Sequence, residues 1–434
     1  MTLHVAIVGA GPAGFYAAEA LSNHSDEIQV DLLDRLPTPY GLIRSGVAPD
    51  HQKTKNVTRK YDQTAARDNV RYVGNVELGR DFTITQLREM YDAVIIAFGA
   101  EGDRAMGIPG EDKDGVLGSF EFVGWYNGHP DFANAHPDLN TESAVIVGNG
   151  NVALDCARLL VRTEEEMQSS DLTDSAGDLL FNSPVKNVTV LGRRGPIEAS
   201  FSIAEMREMA ELQQGISLIR NEQIPAELPE DMDPKLARAK KLNLDVLNGF
   251  RDNTPDMAEK KVQFEFFAQP VEVLGDDGVE GLRVERTRLV DGKAVGTGET
   301  FDIPCGLIVT CIGYVCKPIE GVPMENGVII NDDGRIAPGL YCVGWAKRGP
   351  TGTIGTNRPD AQDVVARLLA DLPTGSGKPG GSALDELIAN SNIRPITYEE
   401  WGFIDQAEME NAGTHAPRRK FTTIPEMLSV VDEA

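Results

Sequence analysis

The chain has 434 residues, 41% of them hydrophobic and 25% charged, with 67 acidic against 41 basic residues and a formal net charge of -26. That is globular composition with enough chain for two or three cores, and its acidity argues against nonspecific binding to nucleic acid or to anionic lipid. No stretch approaches the ~18 consecutive apolar residues of a membrane span, and the chain enters a strand at once, which leaves no room for a leader and points to a cytoplasmic protein.

The first elements read as a strand, a glycine-rich turn and a helix: "LHVAIVGAGPAGFYAAEALSNH". Gly9, Gly11 and Gly14 give G-x-G-x-x-G, in which the glycines allow a tight turn, close approach to a pyrophosphate and close helix–strand packing. The helix N-terminus then faces phosphate with free N–H groups and a positive dipole end. A second strand, "IQVDLLD", ends at Asp34, twenty residues after Gly14. An acid there accepts hydrogen bonds from ribose hydroxyls and repels a 2′-phosphate, which suits FAD or NAD. Another strand and a glycine turn follow in "YDAVIIAFGAEGDR", 91–104.

"ESAVIVGNGNVALDCARLLVR" repeats the pattern with a strand over 143–147, then Gly148, Gly150 and Ala153, then a helix through Arg162. A polar stretch with a short helical insertion leads to the strand "VKNVTVLG", ending at Gly192. Arg193 and Arg194 follow, at the position that Asp34 holds in the first fold. Their planar, permanently charged forks match phosphate oxygens, so the second fold suits NADPH and the first FAD. The plainer alternative is a solvated pair capping a strand end. "PKLARAKKLNLDVL" reads as an amphipathic basic helix.

A strand and turn in "CGLIVTCIGYVCKP", 305–318, mirrors the piece at 91–104. We therefore expect an α/β chain of two Rossmann-like dinucleotide-binding domains, the second inserted into the first. Residues 1–104 and 319–434 would form the FAD domain, with a C-terminal extension from about 373, and 105–318 the NADP domain. In the returning segment "GLYCVGW" reads as a strand and Pro359 to Leu372 as a helix, joined by a loop with Gly349, Gly352 and Gly355. Trp345 either covers a flavin face or lies in the core. "PTGSGKPGGS" reads as a flexible exposed loop, followed by one helix ("ALDELIANS") and a basic "PRRK" run at 417–420.

The five cysteines, 156, 305, 311, 316 and 342, include no C-x-x-C pair, which argues against a dithiol centre, and Cys311 reads as buried in a strand. Their spacing fits neither common iron–sulfur pattern, so no metal is expected, and a reducing compartment suits them.

With these elements in place the sequence resembles, almost end to end, the adrenodoxin reductase family of ferredoxin–NADP reductases, which includes bacterial members. The resemblance rests on "GAGPAGFYAAEAL", "PYGLIRSGVAPDHQKTKNV", "GNVELGRD", "FVGWYNG", "GNGNVALDCARLL", "GRRGPIEASFSIAEMREM" and "GLYCVGWAKRGPTGTIGT". It implies a flavoenzyme that passes hydride from NADPH C4 to flavin N5 and then single electrons to an adrenodoxin-like ferredoxin, a route that can end indirectly at a cytochrome P450. By motif, FAD would meet Ala13, Asp34, Leu42, Val76, Trp345 and the turn Gly352, Thr353, Ile354. NADPH would meet Asn149, Gly150, Asn151, Val152, Arg193, Arg194, Glu205 and Gly352.

The resemblance also places His51, Asp155 and Glu208 near the reaction centre, with His51 and Glu208 as a proton relay. Taken without it, Asp155 is a charge favoured by a helix dipole, Glu208 a solvated helix residue and His51 a loop residue. Because small ferredoxins are acidic, a local basic face is needed, and Arg207, Arg238, Lys240 and Lys241 are its candidates, against a merely solvated helix face. A thioredoxin-type reductase lacks its C-x-x-C here, and a glutamate synthase small subunit lacks its N-terminal cysteines. A flavin-bearing redox sensor or a diaphorase remains as the alternative.

Overall fold

Val5, Ala6 and Ile7 are wholly buried because the strand they form, Leu3–Val8, lies inside a sheet covered on both faces. The computed structural model describes residues 1–434 and divides them into two units. The first comprises 1–102, 127–133 and 314–434, and the second 103–126 and 134–313, so the second is inserted into the first. The crossings fall at 102/103 and 313/314, and residues 127–133 return to the first unit, a detail that hydrophobic pattern does not reveal.

The first unit carries a six-stranded sheet in the order Arg335–Ala337, Leu340–Cys342, Ala93–Ile96, Leu3–Val8, Ile28–Leu33, Val70–Val73, parallel except at the Arg335–Ala337 edge. The helix Pro12–His24 buries Phe15, Ala17, Ala18 and Leu21 on this sheet, with Phe15 stacked on Tyr61 at 4.9 Å between centroids. The later helix Asn357–Asp371 adds Val364, Val365 and Leu368 to the same core.

Beyond Leu372 the expectations need correction. The stretch read as a flexible loop is tied down: Ser376 N–H donates to Asp92 at 2.8 Å, Lys378 Nζ to Tyr91 O at 2.8 Å and Gly380 N–H to Met90 O at 2.9 Å. Instead of one helix there are three, Gly381–Ala389, Tyr398–Glu410 and Ile424–Glu433. The last two start in capping boxes, Thr397 with Glu400 and Thr423 with Glu426, a signal the sequence reading overlooked.

Nor is the "PRRK" run a free basic patch. Glu408, wholly buried, accepts from both terminal nitrogens of Arg44, from Arg418 at 3.3 Å and from Phe421 N–H at 2.9 Å. Lys420 is buried against Asn127 O at 3.0 Å and Arg44 O at 3.3 Å. The extension therefore clamps the short helix Leu42–Ser45, which carries Leu42.

The second unit carries a six-stranded parallel sheet in the order Val116–Gly118, Leu307–Thr310, Ser143–Val147, Asn187–Gly192, Lys260–Phe266, Gly215–Ile219. Its glycine-loop helix is Asn151–Val161, and the polar insertion holds two short helices, Glu164–Met167 and Asp174–Phe181. An antiparallel three-stranded sheet, Ala268–Leu274, Gly281–Val290 and Lys293–Pro304, was not foreseen. Cys311 lies one residue past the strand Leu307–Thr310 and is half-buried, a correction to its reading as a strand-core residue.

Although burial pushes it up, the neighbouring Arg44 and Arg418 hold the Glu408 carboxyl below its ordinary value. Its stabilisation is therefore present above the unfolded carboxylate value of about 4.3 and is lost as pH falls through the lower folded value. Glu408→Gln should cost roughly 3 kcal/mol in urea unfolding at pH 7, with the gap from the parent closing at acid pH. A gap that does not change with pH would contradict the ionic account.

Candidate functional site: two nucleotide loops with opposite charge

Both loops use the same backbone wiring. Gly9 N–H donates to Leu33 O at 2.7 Å and Gly148 N–H to Leu191 O at 2.9 Å. Ala97 N–H donates to Val8 O and Cys311 N–H to Val147 O, each at 2.7 Å. Finally, Tyr40 N–H reaches Ala10 O and Ser200 N–H reaches Asn149 O, each at 2.8 Å. These equivalences fix which residues correspond, and they correct the sequence reading by one position. Leu33 matches Leu191, so Asp34 matches Gly192, and it is Arg35 that matches Arg193.

The glycines divide into two kinds. A Cβ on Gly9 would lie 2.6 Å from the Ala97–Phe98 backbone, one on Gly14 2.0 Å from Gly9 O, and one on Gly148 2.3 Å from Cys311 O. Those three are bare because protein fills the space. A Cβ on Gly11 would meet only Gly41 Cα at 3.9 Å, and one on Gly150 only Ser200 Oγ at 3.4 Å. The middle glycine of each loop thus borders open space at a helix N-terminus, the position where a pyrophosphate needs bare backbone. Both loops fit a dinucleotide.

Charge then separates them. Asp34 accepts from Ala10 N–H at 2.8 Å through Oδ2 and from Leu36 N–H at 3.0 Å through Oδ1, leaving a lone pair on each oxygen for hydroxyl donors. Burial pushes this carboxyl up to about 6, against the pull of the two N–H groups. Arg35 is spent on acids of its own unit, with Glu101 at 3.2 Å and Asp131 at 2.7 Å. In the second unit the space beside Gly192 is filled by the Asn149 amide, whose Nδ2 would lie 1.5 Å from a Cβ there. Arg193 and Arg194 are exposed and enter no ion pair, while their carbonyls are held by Thr287 Oγ1 at 2.7 Å and Phe267 N–H at 3.2 Å.

Around the first loop, Val76 N–H donates to Asp34 O at 2.9 Å, and Leu42 follows Gly41 where that residue approaches Gly11. Ala13 packs against Gly344, whose missing Cβ would lie 2.6 Å from Ala13 Cβ. Trp345 opens a short helix, Trp345–Arg348, rather than extending the strand, and is half-buried with one face on Tyr314 at 5.7 Å. Asp360, which the sequence reading missed, organises this segment through Gly344 N–H at 2.7 Å, Arg348 at 2.9 Å and Lys347 at 3.1 Å. Gly352 and Thr353 are exposed, and Ile354 packs on the core.

In the second unit Asn151 Oδ1 accepts from Ser202 N–H at 2.7 Å, and Val152 follows it in the first turn of the helix. Ser202 Oγ donates to Glu205. Asp155 and Glu208 are brought together by a residue that sequence reasoning did not single out. Arg158, wholly buried, lies 2.9 Å from Asp155 and 3.0 Å from Glu208, and Arg162 lies 3.7 Å from Glu208. Asp155 stands beyond the first helical turn, so its partner is Arg158 one turn on rather than the helix dipole. Glu208, half-buried, is not a solvated residue. His51 belongs to the first unit and precedes the helix Gln52–Lys55, its carbonyl accepting from Thr54 N–H at 3.0 Å.

Arg207, Arg238 and Lys241 are exposed, the last two on the helix Pro234–Gly249 beside exposed Leu236 and Leu242. Lys240 departs from the expected docking face. It is half-buried and donates to Ala199 O, in the loop that carries the two arginines.

The model of the pyridine nucleotide-disulphide oxidoreductase family matches residues 3–248. The human mitochondrial NADPH:adrenodoxin oxidoreductase is 40% identical over 457 residues, covering 99% of this chain and 92% of that protein. NADPH-ferredoxin reductase FprA of Mycobacterium tuberculosis is 39% identical over 455 residues, covering 98% of each. The solved structure of Mycobacterium tuberculosis FprA in complex with NADPH superposes with a TM-score of 0.95 at 37% identity, covering 99% of this chain and 100% of that one. With paired glycine loops, matching backbone wiring and this end-to-end similarity, the chain belongs to the pyridine nucleotide-disulphide oxidoreductase family, in its group of adrenodoxin and ferredoxin reductases.

Proposed function

We propose that this protein is an FAD-containing ferredoxin–NADP(+) reductase carrying electrons from NADPH to a small iron–sulfur ferredoxin. The observation that carries the reading is the contrast between an acid with a neutralised arginine at one loop and two unpaired arginines at the other. An acid and a paired cation suit the FAD ribose, which has no 2′-phosphate, whereas two open guanidinium forks suit NADPH.

Bound FAD supplies the chemistry, taking two electrons as hydride and releasing them one at a time. The chain's part is to bind, orient and exclude water. Gly11, Ala13 and Gly14 offer backbone to the FAD pyrophosphate, Asp34 accepts from its ribose, and Leu42, Val76, Trp345 and the turn Gly352–Thr353–Ile354 enclose it. Asn149 to Val152 do the same for NADPH, with Arg193, Arg194 and Glu205 at its adenosine end.

His51 is proposed to hold the proton exchanged at flavin N5, and Asp155 and Glu208 to set the local charge through Arg158. Arg207, Arg238 and Lys241 form the docking face, where exposed leucines beside cations suit an acidic partner with an apolar centre. A reducing cytoplasmic setting agrees with five unbridged cysteines. A cytochrome P450 is one downstream destination, decided by whether the ferredoxin carries electrons to it.

Replacing both Arg193 and Arg194 by Ala should weaken NADPH binding by more than about 100-fold, since hydrogen bonds to charged groups are worth roughly 1.5–3 kcal/mol each, with NADH little changed and FAD retained. Equal loss for both nucleotides would reduce the pair to a strand cap. Replacing Arg238 and Lys241 by Glu should slow ferredoxin reduction and flatten its salt dependence, with flavin reduction by NADPH unaffected. Ferredoxin reduction by the parent protein that ignores salt would contradict this docking face. His51→Gln should slow single-turnover flavin reduction or reoxidation, and unchanged rates for both would remove His51 from proton transfer.

A further inference from the structure

The helix Pro234–Gly249 sends two side chains from successive turns onto the loop that follows Arg193 and Arg194. Lys240 Nζ donates to Ala199 O, and Asn243 Nδ2 donates to Phe201 O at 3.1 Å. Asn243 is buried, and through Nδ2 it holds the loop backbone at Phe201. Lys240 is different. Its ammonium has three donors, and one carbonyl uses one of them.

The charges at this loop do not balance. Arg193, Arg194 and Lys240 are positive, and the loop's acids are two, Glu198, which accepts from Gly195 N–H at 3.0 Å, and Glu205, which accepts from Ser202 Oγ. Burial pushes Lys240 down, Glu198 holds it up, and Arg194 adds a lesser downward push. A cation kept part-buried near another cation gains from any anion that enters the loop, and gains more than an exposed cation because less solvent screens it. A nucleotide 2′-phosphate is such an anion, carrying about -1.5 to -2 charges near neutral pH.

We propose that Lys240 is a specificity-determining residue for the 2′-phosphorylated nucleotide, supplying the third positive charge of the clamp while Asn243 fixes the loop backbone. This rests on the reading of Arg193 and Arg194 as that clamp. It also takes Lys240 out of the ferredoxin-docking set.

The test uses the FAD-containing protein and measures NADP(+) and NAD(+) binding by calorimetry at several salt concentrations. Lys240→Gln keeps a donor for Ala199 O and removes the charge, and Lys240→Met removes both. Each should weaken NADP(+) about tenfold, leave NAD(+) unchanged and lower the salt dependence of NADP(+) binding. Lys240→Gln with parental NADP(+) affinity, or equal loss for the two nucleotides, would overturn the proposal. The double Ala variant of Arg193 and Arg194 is measured alongside. If it too keeps the parental preference for NADP(+), the clamp reading itself has failed; if it loses that preference while the Lys240 variants keep it, Lys240 alone is excluded.

Discussion

Just past the end of the second strand of each nucleotide fold the chain places an arginine, and the two arginines differ in whether an acid closes on them. Arg35 closes on Glu101 and Asp131, so the first loop presents the Asp34 carboxylate and no spare cation. Arg193, at the matching register, has no acid, and Arg194 doubles it. An unpaired guanidinium keeps its donors for an anion such as phosphate, and a paired one has already used them. The two sites therefore differ less by arginine content than by whether the arginine has been neutralised.

The same economy of charge recurs elsewhere in each unit. Arg158 is buried between Asp155 and Glu208, so two residues expected to act separately share one cation. Arg44 is gripped by Glu408 from the C-terminal extension, which fixes the segment carrying Leu42. In a chain of net charge -26, cations left without an acid stand out. Those at the second loop are among them, together with the exposed face of the helix Pro234–Gly249.

Much of this was legible in the sequence, because glycine loops between a strand and a helix have few other uses. The two α/β dinucleotide folds, the insertion of the second into the first and both nucleotide loops follow from hydrophobic runs and glycine spacing, whereas the six-strand order of each sheet does not. The correspondence of Asp34 with Arg193 was off by one, since register is set by backbone hydrogen bonds that sequence does not display. Arg158 was invisible because a buried arginine on an apolar helix becomes meaningful only beside Glu208, fifty residues on. Lys240 read as one cation in a basic run, and its partial burial against the carbonyl of Ala199 distinguishes it from exposed Lys241. The C-terminal helices were signalled by capping boxes but obscured by a polar composition.

On this reading one loop retains FAD while the other selects NADPH. The most direct test is stopped-flow, anaerobic loss of the flavin absorbance on mixing the FAD-containing protein with NADPH or NADH at matched concentrations, followed by addition of a small ferredoxin. Bleaching should occur at far lower NADPH than NADH, with prompt reoxidation by the ferredoxin. Equal bleaching by the two nucleotides, or a reduced flavin that the ferredoxin leaves untouched, would contradict it.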